Sequence, residues 1–67
     1  MNASRTVKAI LDKGKTQEDI ATYVRKTTGN RRFSQATVSR IKNGADTSFT
    51  VGQALEKLHD EVSKQAA

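Results

Sequence analysis

Gln35, Ala36, Ser39, Arg40 and Asn43 lie within nine consecutive residues. At about 100° per residue they gather on or beside one helical face once Val38 and Ile41 are turned inward. Their chemistry is hydrogen bonding to planar polar edges. A Gln side chain presents a donor and an acceptor side by side, the pattern that pairs with the N6 and N7 edge of adenine. An Arg fork matches O6 and N7 of guanine, clamps a phosphate, or pairs with an acid. Ser39 can donate to a phosphate or simply fit against a groove wall. Ala36 can meet a thymine methyl or avoid a clash. Such a face is suited to lie on a polar surface.

The element that must carry these residues is bounded by clear signals. Ser34 is an N-cap candidate, and Phe33 before it can staple onto Val38. Asn43-Gly44 provides an exit that tolerates positive φ. The spacing predicts a helix from about Gln35 to Lys42. Upstream, Val7, Ile10 and Leu11 mark a first amphipathic helix over about Ser4–Lys13, stopped by Gly14. Thr16 caps a second, whose first turn holds Gln17, Glu18 and Asp19, the two acids suiting the helix dipole. Its inward stripe is Ile20, Ala21 and Val24, and it should run through Lys26 to Thr28 before Gly29-Asn30 ends it. Ala21 is small enough to let another helix cross closely.

After a connection over 45–49, Thr50 and Gln53 read as a capping box, with Phe49 stapled onto Ala54. The fourth helix carries Val51, Ala54, Leu55, Leu58 and Val62, with Phe49 also assigned to the core. The expectation is one all-α domain of four helices over 1–67, with 65–67 fraying. Part of the fourth helix's stripe is also a candidate dimer surface, because it offers more apolar positions than three short helices are expected to cover.

Composition limits the functions open to 67 residues. A core this small is marginal without help. With no Cys, neither disulfides nor thiolate metal sites can supply it. Oligomerisation is the remaining route. One His and no convergent pair of acids leave nothing to activate a nucleophile or hold a metal, so an enzyme, a metal, a cofactor and a small-molecule ligand are not expected. No apolar run is long enough for a membrane span and no signal peptide is visible, which points to the cytoplasm. The aromatics Tyr23, Phe33 and Phe49 are too few for a base-stacking platform. Charge is uneven: residues 1–43 hold ten Lys or Arg against three acids, and residues 44–67 hold two against four. The basic portion suits phosphate, and the acidic portion should face away from it.

Three segments together carry a resemblance: T-Q-E-D-I-A at 16–21, S-Q-A-T-V-S-R-I-K-N-G at 34–44, and F-T-x-x-x-A-L-x-x-L at 49–58. The stretch 16–58 resembles the helix-turn-helix of the phage Cro and lambda-repressor type, over about two thirds of the chain. The resemblance implies a sequence-specific regulator of transcription that lays its third helix in the major groove of double-stranded DNA while the second crosses the backbone. It places Gln35, Ala36 and Arg40 against base edges, and Ser39 and Asn43 against the sugar-phosphate backbone. Gln17 would anchor on a phosphate. Thr16 joins it on physical grounds, because a helix N-terminus presents backbone N–H groups to anions. Ala21, Val38 and Ile41 would fix the angle between the helices. A homodimer on a palindromic operator is expected, in solution or only on DNA. Without a large second domain, the chain resembles a small Cro-like repressor of a phage or prophage, acting in the bacterial cytoplasm at the nucleoid.

The resemblance breaks between its first two segments. Arg25 stands where the family's turn Gly is expected, and Ala21 and Val38 are seventeen residues apart, about seven more than the family's spacing. Either the second helix is longer and a basic loop with Arg31 and Arg32 touches the DNA backbone, or the extra residues bulge into solvent. Backbone contact is the favoured expectation. Two other classes compete with specific DNA binding: a protein-interaction adaptor of antitoxin-like or anti-repressor kind, and a non-specific nucleic-acid binder. The first needs a large apolar anchor, which the outer face of 35–43 lacks.

Overall fold

A computed structural model describes residues 3–65. Four helices account for most of it: α1 (Ala3–Asp12), α2 (Gln17–Thr28), α3 (Gln35–Lys42) and α4 (Phe49–Gln65). No strand occurs among the described residues. Each of α1 and α2 packs against both α3 and α4. A single core lies between them, built from Val7, Ile10, Ile20, Ala21, Val24, Phe33, Val38, Ile41 and five α4 residues.

Local chemistry explains the helix boundaries. Thr16 caps α2: its hydroxyl accepts from the Asp19 amide at 3.1 Å, and the Asp19 carboxylate accepts from the Thr16 amide at 3.0 Å. This closes a reciprocal capping box, so Asp19 satisfies a specific donor as well as suiting the helix dipole. Its pKa falls below the ordinary 3.8, chiefly through the bond from the Thr16 amide and then through the Thr16 hydroxyl, helped by Lys15. At the far end Gly29, with φ of 73°, donates to the Arg25 carbonyl at 2.9 Å. A left-handed residue is what lets the chain leave the helix there.

Two expectations at helix ends are corrected. The exit of α3 belongs to Gly44 alone, at φ of 107°, because Asn43 keeps an ordinary φ of −88°. The start of α4 lies earlier than the Thr50–Gln53 box implied. Ser48 is the cap: its hydroxyl accepts from the Val51 amide at 3.2 Å and its carbonyl from the Gly52 amide at 2.8 Å. Phe49 therefore sits in the first helical turn, 79% exposed, neither stapled to Ala54 nor part of the core.

The remaining α4 stripe is fully used inside the molecule. Val51, Ala54, Leu55, Leu58 and Val62 are all buried in the single chain, so none of them offers a dimer surface. Half-buried Tyr23 on α2 lies near the Glu61 carboxylate of α4. Burial, and then that neighbouring carboxylate, raise the Tyr23 pKa above its usual value. α1 ends at Asp12, which places Lys13 in the following turn. Of the tail expected to fray, 65 is the last turn of α4 and 66–67 lie outside the described residues.

Candidate nucleic-acid interface

α3 is a short helix with two sharply different sides. Val38 and Ile41 are essentially inaccessible, at 0% and 1%. Gln35, Ala36, Arg40 and Asn43 are exposed and Ser39 is half-buried at the edge of that face. No acid occurs between Asp19 and Asp46, so α3 and the turn that leads into it carry only positive formal charge. Among the described residues the side chains of Gln35, Ser39, Arg40 and Asn43 have no hydrogen-bonding partner within the chain. Among the described residues the one ion pair joins Lys64 and Asp60 on α4, exposed and 3.8 Å apart. Arg40 is thus uncommitted.

The entrance to α3 is more ordered than a bulge would be. Of the seven extra residues, Lys26, Thr27 and Thr28 lengthen α2, while 29–32 make the turn. The Thr28 hydroxyl donates to the Val24 carbonyl at 2.7 Å and accepts from the Asn30 amide at 3.2 Å. The Asn30 side chain accepts from the Arg32 amide at 3.0 Å, and its carbonyl from the Phe33 amide at 3.2 Å. An Asn folded onto the amide two residues on is a self-made turn. Phe33 drives its ring into the core at 3% exposure. Arg31 and Arg32 are left exposed on the outside of this turn, without an acidic partner.

Two side chains that the sequence reading did not assign to the site hold α3. Arg25 donates from one guanidinium nitrogen to the Phe33 carbonyl at 3.0 Å and from the other to the Thr22 hydroxyl at 3.2 Å. Ser4 donates to the Lys42 carbonyl at 2.6 Å, tying the last turn of α3 to the start of α1. Only the i, i+3 spacing of Thr22 and Arg25 hints at the first contact in the sequence; nothing hints at the second.

At the start of α2 the hydroxyl and amide of Thr16 are both turned to Asp19. Thr16 therefore acts as a cap. Gln17, half-buried and without a side-chain partner, is the residue there with a free polar group. Glu18 and Asp19 beside it are exposed.

Concavity does not mark this surface. A groove of about 710 Å³ lies between the end of α2 and α4, lined by Thr27, Thr28, Gln53, Lys57, His59 and Asp60 among others. Among the described residues no buried polar side-chain atom lacks a partner, and no three acids or His gather as a metal site. No helix among them is long and apolar enough to cross a membrane. A convex helix entering a groove of its target needs no pocket of its own. The chain matches no family model, no curated protein and no solved structure.

Proposed function

We infer that the chain binds double-stranded DNA sequence-specifically, with α3 in the major groove, and acts as a small transcriptional regulator similar to Cro-type repressors. One observation carries this reading. The exposed face of α3 is a run of uncommitted hydrogen-bonding side chains beside a single small residue, held on a buried Val38 and Ile41. Gln35 and Arg40 supply the two side-chain types best matched to purine edges, with Ala36 between them leaving room for close approach. Ser39, Asn43, Arg31, Arg32 and the α2 start at Thr16 and Gln17 surround them as backbone contacts. Thr16 contributes by shaping the helix start and Gln17 by its free amide.

The proposal extends to two copies on a palindromic operator, with half-site centres about 34 Å apart. The α4 stripe is consumed internally, which favours pairing on the DNA over pairing through that helix in solution. Repression in a bacterial or phage-infected cytoplasm is the role the resemblance suggests. A gel-shift competition tests the central part: a selected duplex should outcompete random duplex by about a thousandfold or more at fixed salt. Equal competition would mean non-specific nucleic-acid binding instead.

A further inference from the structure

We propose that Arg25 and Ser4 are positioning residues that clamp the two ends of α3 and set the angle at which it meets DNA, a proposal that rests on the DNA-binding reading. The clamp replaces the tight turn that the segment 25–33 does not make. Arg25 closes the turn from both sides. Its carbonyl accepts from Gly29 where the turn begins, and its guanidinium grips the Phe33 carbonyl where it ends. Phe33 immediately precedes the Ser34 cap, so fixing that carbonyl fixes the first residue of the helix axis. Thr22 holds the guanidinium in the required rotamer. The Ser34 cap bond is long, at 3.4 Å from the Thr37 amide, so Arg25 adds a second hold on the entrance beside the Asn30 turn and the buried Phe33. At the exit Ser4 reaches across 38 residues of chain to Lys42.

The chemistry separates this role from a phosphate contact. Arg25 is half-buried and both its terminal nitrogens are engaged, whereas Arg31 and Arg32 are exposed and free. A planar fork can serve two acceptors in fixed directions; an ammonium cannot reproduce that geometry. Arg25→Lys keeps the charge and loses the clamp. The fraction of molecules with α3 correctly aimed then falls, and apparent affinity falls with it.

The test compares wild type with Arg25→Lys, Ser4→Ala and Lys57→Arg. Arg25→Lys should weaken binding to a selected duplex by about tenfold, the effect of losing one charged hydrogen bond. Its affinity for random duplex and the slope of log affinity against log salt should stay at wild-type values. Ser4→Ala should lose specificity in the same direction, and Lys57→Arg, on the exposed side of α4 away from the interface, should behave as wild type. Wild-type specific binding by Arg25→Lys overturns the proposal, as does an equal loss on both duplexes with a smaller salt slope. Amide exchange in the free protein reads the clamp without DNA. Arg25→Lys should speed exchange at residues 33–39 while residues 20–24 stay protected. Unchanged exchange at 33–39 overturns the clamp even if wild type binds no DNA, whereas faster exchange in a protein that binds none would fault only the DNA reading.

Discussion

Single side chains decide whether the α3 face reads bases. Arg40 is exposed, cationic and unpaired, so its removal leaves no buried partner stranded and should hardly change folding. Arg40→Ala should cost about 1–3 kcal/mol of binding and relax preference at one base pair. A uniform loss over all sequences, measured by titrating a panel of single-base variants, would move Arg40 to the phosphates. Arg31 and Arg32 face outward from an ordered turn. If each neutralises one phosphate, replacing both with Ala should reduce the salt slope by about two. An unchanged slope would assign the turn a purely structural part. The identities of the exposed residues were legible in the sequence because a helix of known register presents them at fixed angles. Arg25 was not legible as a clamp, since its partner is a backbone carbonyl eight residues away whose position depends on the conformation of the turn.

At the scale of elements, the four helices follow from apolar spacing and from Gly14, Gly29 and Gly44, and the all-α expectation holds. The start of α4 diverged because several short polar residues compete for the same cap. Thr50 and Gln53 fit a capping pattern, yet starting α4 at Ser48 lets Val51, Ala54 and Leu55 all reach the core. Burial of those three outweighs the exposure of one Phe. The α2 box was missed because Asp19 does with a shorter side chain what Glu or Gln usually does at that position. Its carboxylate has a lowered pKa in the fold, so its contribution is complete above 3.8 and is lost as pH falls through the folded value. The melting-temperature difference between wild type and Asp19→Ala should therefore be constant at neutral pH and close on acidification. A difference that persists well below pH 3.8 would remove the carboxylate from the capping account. Ala21, at 1% exposure on α2, has no room to grow. Ala21→Leu should destabilise by about 1–3 kcal/mol in denaturant unfolding, and a neutral result would show a looser core than described.

For the whole molecule, the charge imbalance and the internal use of the α4 stripe act together. Arg25, Lys26, Arg31, Arg32, Arg40 and Lys42 fall on α3, on its entrance turn or at the end of α2, while Glu56, Asp60 and Glu61 are exposed on α4. Phe49 is the exposed large hydrophobic among the described residues, far less than the roughly 1,200 Å² that a stable interface buries. Sedimentation should find a monomer at micromolar concentration and two copies on one operator duplex; a tight dimer without DNA would require a surface outside the described core. The most direct measurement is selection of binding sites from a random duplex pool by the intact chain. It should enrich a palindrome whose half-sites are centred about one helical turn apart, with purines that change when Gln35 or Arg40 is replaced. Enrichment of no sequence, with all duplexes bound alike, would contradict α3 as a reader of DNA.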